Sequence, residues 1–291
     1  MLIDFTNPNI LYLGIARPGG GCYSGDIFLY KSTDGGATWN DSISSYSTAV
    51  GCQTATDVMA MDPIDPNTLY LPFGDDWNGF TVIKTTDGGE HWKNFGAAAL
   101  RAASEVNALV IDPNTPTTLY AATDIGVFRS TDGGASFLPA GFAKTTVVLL
   151  AIDPVHSDVL YAATSSNFYP HAPGFLGLYK STDSGASWTP INQGLDEIVA
   201  AHAPVNALLV DSDHANILYL ATSGYGVFKS SDGGATWAPF NDGLPFLDVS
   251  SLALVRRGPA AHRGSRPGVL GPNTLYAGTP GGVFKIVQPG D

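Results

Sequence analysis

Apolar positions along this chain come in short runs. Val106-Asn107-Ala108-Leu109-Val110-Ile111 is closed by Asp112-Pro113-Asn114. Thr118-Leu119-Tyr120-Ala121-Ala122-Thr123 follows, then Gly126-Val127-Phe128-Arg129-Ser130. After Asp132-Gly133-Gly134, Ala135-Ser136-Phe137-Leu138 completes the unit. Runs of this length, rich in β-branched and aromatic residues and bounded by Asp, Asn, Pro and Gly, read as strands separated by turns. No window carries a sustained helical period, so the pattern predicts four antiparallel strands, a to d, in each unit.

The unit recurs. Ser32-Thr33-Asp34-Gly35-Gly36-Ala37-Thr38-Trp39 is rewritten with small changes from Thr85, Ser130, Ser181 and Ser230, as Ser/Thr-x-Asp-x-Gly-x-x-Trp/Phe. Strand b carries Leu-Tyr at Tyr12, Tyr70, Tyr120, Tyr161, Tyr219 and Tyr276. Strand c ends in a base at Lys31, Lys84, Arg129, Lys180, Lys229 and Lys285. The sixth unit keeps both landmarks but has Ile286-Val287-Gln288-Pro289 in place of the turn. Self-similarity at about fifty residues marks a repeat architecture. Four-stranded units repeated around an axis make a β-propeller, which leaves only short, protected edges. The expectation is an all-β, six-bladed propeller forming one domain over 1–291. Its blades fall at about 1–49, 50–97, 98–141, 142–195, 196–244 and 245–291. A seven-bladed or truncated ring is the alternative.

The turn has a physical logic. An Asp between strands c and d can accept hydrogen bonds from its own turn, Gly supplies positive φ, and the aromatic buries a ring between neighbouring sheets. Four of the five Trp (Trp39, Trp92, Trp188, Trp237) occupy that one position. The motif resembles the Asp box, or bacterial neuraminidase repeat. The chain is similar throughout its length to Asp-box propellers, which include sialidases, xyloglucan-hydrolysing glycosidases, sortilin-type receptors and photosystem II assembly factors. The resemblance implies a structural role for Asp34, Asp87, Asp132, Asp183 and Asp232, and places function on the opposite face.

Composition narrows the classes. The formal net charge is −12, and only three of the 26 acidic residues are Glu. Many of the aspartates fall in the repeated turn or in the a–b turns, at Asp62, Asp112, Asp153 and Asp211. Acidity therefore reads first as turn chemistry and solubility, and argues against nucleic acid or an anionic membrane as partner. No apolar stretch reaches membrane-spanning length, so no membrane insertion is expected. No signal peptide is visible. The abrupt start on Leu2-Ile3-Asp4-Phe5 and the lost sixth turn lead us to expect a mature or excised form of a longer protein. Low charge and few lysines fit an exported chain, extracellular or periplasmic. Cys22 in the first b–c loop and Cys52 in the following d–a connection belong to loop classes that share a face. A Cys22–Cys52 disulfide and two free thiols are both open, the bridge implying an oxidising compartment.

Candidate chemistry lies where the b–c and d–a loops depart from the repeat. Blade 1 offers Arg17 within Ala16-Arg17-Pro18-Gly19. Blade 2 offers Asp75, Asp76 and Trp77, blade 4 Tyr169 and His171, and blade 5 Tyr225. Arg101 lies in a d–a connection, with Glu105 close behind it. Aromatics beside carboxylates on an open face are how many carbohydrate sites are built; loops packed on each other as a lid are the other outcome. The first position of strand a holds Asp57, Asn107, Val148, Asn206 and Ser251 in turn, so Asp57 brings a carboxylate to the channel mouth near Asp75 and Asp76. Two carboxylates can divide acid and base roles in glycoside hydrolysis.

A sialidase needs three arginines on that face, and the sequence places only Arg17 and Arg101 there, so a true sialidase is not expected. The xyloglucan-hydrolysing family is closer. Asp62-Pro63-Ile64-Asp65-Pro66-Asn67-Thr68-Leu69-Tyr70 is similar to its blades, and Thr123-Asp124-Ile125-Gly126 resembles the segment carrying one of its catalytic aspartates. That family works in a cleft between two propellers, with one acid from each. No phosphate loop, zinc spacing, EF-hand loop or Gly-x-Ser-x-Gly elbow is present, so neither metal nor cofactor is expected. The leading expectation is a glycan- or protein-binding scaffold propeller. The alternative is a glycoside hydrolase using Asp57 with Asp75, Asp76 or Asp124.

Overall fold

The computed structural model describes residues 1–16, 27–41, 58–75, 79–94, 98–166, 174–255 and 274–286. It is an all-β, six-bladed propeller of antiparallel sheets joined in sequence order. Blade 1 comprises Leu2–Ile3, Leu11–Ala16, Ile27–Ser32 and Asn40–Asp41. Blade 2 comprises Ala60–Met61, Leu69–Asp75, Gly79–Thr85 and Lys93–Asn94. Blade 3 comprises Val106–Ile111, Leu119–Thr123, Gly126–Ser130 and Leu138–Pro139. Blade 4 comprises Thr146–Ile152, Leu160–Ser166, Gly174–Ser181 and Thr189–Pro190. Blade 5 comprises Val205–Val210, Leu218–Thr222, Gly226–Ser230 and Ala238–Pro239. Blade 6 has three strands among the described residues, Ser251–Val255, Thr274–Thr279 and Gly282–Ile286. The chain divides into two compact units, Met1–Leu160 with Ser181–Trp188 and Tyr161–Lys180 with Thr189–Asp291.

Strand d is shorter than the sequence pattern predicts. It is a two-residue pairing that begins after the turn aromatic, as Lys93–Asn94 does behind Trp92. Among the described residues two short helical turns interrupt the all-strand expectation, a 3₁₀ turn at Ala98–Ala102 and an α-helix at Asp196–Ala200. Both lie in d–a connections and span five residues each, too short to show a helical period in the sequence.

The repeated turn is built the same way five times. In blade 1 the Ser32 hydroxyl donates to Asp34 Oδ1 (2.8 Å), the Thr38 amide donates to the same oxygen (2.9 Å), and the Thr38 hydroxyl donates to Oδ2 (2.6 Å). Ser32 Oγ in turn accepts from the Gly36 amide at 2.8 Å. Asp132, Asp183 and Asp232 repeat these partners. In blade 2, His91 Nδ1 takes the place of the hydroxyl on Asp87 Oδ2 at 2.7 Å. These bonds favour the charged carboxylate, so Asp34 and Asp183 are lowered to about 2 and Asp87, Asp132 and Asp232 are lowered as well. The a–b turns use a second set. Asp4, Asp62, Asp112, Asp153 and Asp211 each accept from the amides two and three residues on. Asp chemistry thus builds both turn classes.

The turn also joins blades, through landmarks that the sequence left unexplained. The strand b Tyr and the strand c base stand opposite each other in register, as in Tyr12↔Lys31 and Tyr120↔Arg129. The cation lies over the ring, 4.9 Å from the centroid for Lys84 on Tyr70 and 5.6 Å for Lys31 on Tyr12. Tyr12 Oη and Lys31 Nζ then both donate to the Gly88 carbonyl in the turn of the next blade, at 3.2 and 2.8 Å. In the second unit, Tyr161 Oη and Lys180 Nζ both donate to the Gly233 carbonyl, at 3.4 and 3.0 Å. Tyr12, Tyr70, Tyr120, Tyr161 and Tyr219 are almost fully buried. Each gains its apolar burial, on the order of 2 kcal/mol, and the hydroxyls of Tyr12, Tyr120 and Tyr161 each donate to a turn carbonyl of the next blade. Burial, with a smaller contribution from Asp4, pushes Tyr12 up to about 12.

Candidate functional site

Of the four candidate catalytic aspartates, Asp57, Asp75, Asp76 and Asp124, Asp124 is the one whose side chain falls among the described residues. Asp57, Asp76, Arg17, Trp77, Tyr169, His171, Cys22 and Cys52 lie outside them, as does the side chain of Asp75 at the end of its strand. Tyr225 is partly buried in the b–c turn of blade 5, and Arg101 is exposed on the 3₁₀ turn before blade 3.

Asp124 is placed by strand pairing. Strands a and b of blade 3 run antiparallel, so the residues entering strand a sit opposite the b–c turn that follows strand b. The register shifts between Ala122 and Thr123, whose partners are Ala108 and Val106, leaving Asn107 as a bulged extra residue. Bulges of this kind re-aim side chains at the ends of sheets. Asn107 Nδ2 donates to the Val147 carbonyl at the start of blade 4 (3.0 Å). Blade 5 repeats the device, with Asn206 Nδ2 donating to the Val249 carbonyl at 2.8 Å. The strand a position that the sequence marks as a channel-mouth site is therefore a strut between blades at Asn107 and Asn206.

Asp124 then ties the entering segment down. Its Oδ1 accepts from the Ser104 amide (3.0 Å) and the Glu105 amide (3.2 Å), and its Oδ2 accepts from the Ser104 hydroxyl. Its own amide reaches the Glu105 carbonyl at 3.4 Å, and its carbonyl accepts from the Thr146 hydroxyl at 3.2 Å. A carboxylate has about four lone-pair sites, and Ser104 and Glu105 occupy three, so acceptor capacity remains on Oδ2. The Glu105 side chain is itself exposed, yet loop packing strips part of its hydration. That desolvation, reinforced by the Asp124 charge, pushes the Glu105 carboxyl above its ordinary value.

The segment after strand d of blade 3 closes on the turn from the other side. The Lys144 amide donates to the Ile125 carbonyl (3.0 Å), the Val127 amide donates to the Gly141 carbonyl (3.0 Å), and Phe142 and Lys144 hold positive φ of 57° and 62°. Such φ values in residues other than Gly cost free energy and persist only where the surroundings over-determine them. Here Phe142 lies 4.9 Å from the Trp188 ring, and Trp188 Nε1 donates to the Ala140 carbonyl at 2.9 Å. A mainly apolar cavity of about 340 Å³ opens beside the turn, lined by Ala102, Ile125, Val127, Phe128, Ala143 and Lys144 among others. Sequence reasoning singled out Asp124 but missed Ser104, and it named Glu105 without pairing it to Asp124. The usable signal was the antiparallel a–b pairing, which sets the residues before strand a against the b–c turn.

The fold is a six-bladed β-propeller in which Asp124 and Glu105 meet at one end of blade 3. No protein-family model matches the chain. Its curated relatives include the xyloglucanase of Hypocrea jecorina, 30% identical over 178 residues, covering 60% of this chain and 20% of that protein. The xyloglucanase of a Paenibacillus species is 30% identical over 221 residues, covering 61% of this chain and 22% of that protein. The chain thus spans about a fifth of the length of these relatives. Among solved structures, the GH74 xyloglucanase from Xanthomonas campestris aligns with a TM-score of 0.66 at 19% identity, covering 86% of this chain and 41% of that one. A GH74 enzyme from Niastella koreensis aligns at 0.61 with 23% identity, covering 82% and 37%. These structures share the propeller fold.

Proposed function

We propose that the chain is a glycoside hydrolase-like propeller that engages a xyloglucan-type polysaccharide on its b–c and d–a loop face, with Asp124 as a reacting carboxylate. The observation that carries this reading is the fixed Asp124 carboxylate, which retains acceptor capacity beside a second carboxyl, that of Glu105, with a raised proton affinity. Carboxyl pairs pushed to different proton affinities are how one site supplies both acid and base. The curated xyloglucanase relatives and the likeness of Thr123-Asp124-Ile125-Gly126 to a catalytic segment support it. The five repeated turns read as Asp boxes, which leaves Asp34, Asp87, Asp132, Asp183 and Asp232 to the architecture. Arg17, Trp77, Arg101, Tyr169, His171 and Tyr225 are the proposed ligand-binding residues, and Asp57, Asp75 and Asp76 the further carboxylates. The setting is extracellular.

The test is reducing-end release from xyloglucan and other β-glucans by the purified chain, beside binding measured on a glycan array. Hydrolysis that Asp124→Asn lowers at least a hundredfold supports the reading. A second reading is that the loop face of this propeller binds the polysaccharide without cleaving it. Binding with no turnover in the wild type selects that reading and removes Asp124 from catalysis.

A further inference from the structure

The antiparallel pairing that seats Asp124 also brings Glu105 to the same end of blade 3. The two residues are joined twice through the backbone, at 3.2 Å from the Glu105 amide to Asp124 Oδ1 and at 3.4 Å from the Asp124 amide to the Glu105 carbonyl. The hydrogen bonds to the Asp124 carboxylate come from Ser104 and the Glu105 backbone amide, and the Glu105 side chain is exposed. We propose that Glu105 is the proton donor of this site, so that the single propeller carries an acid and a base within one blade. The inference rests on the hydrolase reading above.

The step balances within the chain and water. The Glu105 carboxyl gives its proton to the glycosidic oxygen as the bond from that oxygen to the anomeric carbon breaks. Water supplies oxygen to the anomeric carbon, and its proton passes to the Asp124 carboxylate. Proton exchange with solvent then restores the pair. Burial and the neighbouring Asp124 charge both favour the protonated form of Glu105, as a donor requires. Among the described residues, the charged groups on the neighbouring segments are Arg101 on the 3₁₀ turn that precedes Glu105 and Lys144 on the segment bonded to Ile125.

The experiment is a pH–rate profile of xyloglucan hydrolysis by the full chain, for the wild type, Glu105→Gln, Glu105→Asp and the control Glu197→Gln on the exposed face of the short helix. We expect Glu105→Gln to lower kcat at least a hundredfold with KM little changed, and to abolish the descending alkaline limb. Aryl glycosides with good leaving groups, which need little protonation, should be affected less than tenfold. Glu105→Asp should restore part of the rate, and Glu197→Gln none of the loss. Wild-type hydrolysis with an unaltered profile in Glu105→Gln, or equal losses on both substrate types, overturns the role of Glu105 and leaves the hydrolase reading standing. No hydrolysis by the wild type overturns both.

Discussion

The Ser104 amide donates to Asp124 Oδ1 at 3.0 Å although the two residues stand 20 positions apart. With the Ser104 hydroxyl on the other oxygen, the contact fixes both the carboxylate and the segment that leads into strand a. Ser104→Ala should therefore cost about 1 kcal/mol in urea unfolding, the usual worth of one hydrogen bond. On the proposed hydrolase reading it should lower turnover more than it lowers polysaccharide affinity, because it loosens Asp124 Oδ2 while the Ser104 and Glu105 amides still hold Oδ1.

Gly126 follows the same turn with φ of 137°, and a Cβ there would stand 2.7 Å from the Gly141 carbonyl oxygen and 2.9 Å from that of Phe142. Gly126→Ala meets both a backbone conformation that L residues avoid and a wall of backbone atoms. It should lose about 2 to 3 kcal/mol of stability and disturb Asp124. Gly224, with φ of 84° and open space around its Cβ, faces only the first penalty. Gly224→Ala should cost about 1 kcal/mol in the same denaturant titration.

Acid should unfold the protein through its turns. The hydroxyl and amide of Thr38 on Asp34, and of Ser187 on Asp183, lower both carboxyls from 3.8 to about 2. A lowered folded-state value means that the unfolded chain binds the proton more tightly. The stabilisation is then complete above pH 3.8 and is lost as pH falls through about 2. Melting temperature should drop steeply between these limits. Thr38→Val with Ser187→Ala should flatten that drop, as followed by circular dichroism.

Glu105 contributes with the opposite sign. Its folded-state value is raised from 4.5, so the folded chain holds the proton more tightly, and its contribution is complete below pH 4.5. That contribution is lost as pH rises through the raised value. Glu105→Gln should remove this slope on the alkaline side of 4.5 and leave the acid limb of the turns unchanged. Comparing melting temperature against pH in the two proteins reads the difference.

The blade latch is testable at Lys180, whose Nζ donates to the Gly233 carbonyl at 3.0 Å while lying 5.4 Å from the centre of the Tyr161 ring. Lys180→Met keeps the aliphatic stem and removes the donor. Because the side chain is only half-buried, the loss should be about 1 kcal/mol. Hydrogen exchange should rise at the Gly233 turn, where a carbonyl loses its charged partner.

The repeat, the strand order within a blade and the turn chemistry were legible along the chain, with six blades expected and a seven-bladed ring as the alternative. Those depend on residues close in the chain: an Asp and a hydroxyl two positions before it, a Gly at positive φ, and a Tyr paired with a base across one hairpin. The a–b turn aspartates were legible for the same reason, since each caps amides two and three residues on. How those local pieces meet depends on contacts between residues far apart in the chain. Tyr12 and Lys31 converge on Gly88, which stands 57 positions beyond Lys31, and Asn107 braces Val147 across 40 positions. Asp124 stands out in the sequence only through the resemblance of its segment, and its hydrogen-bond partners follow from a bulge and a strand pairing that set Ser104 and Glu105 against it. Hydrogen bonds between neighbours in sequence leave a repeating signature, whereas bonds between strand ends depend on register, which one extra residue is enough to shift.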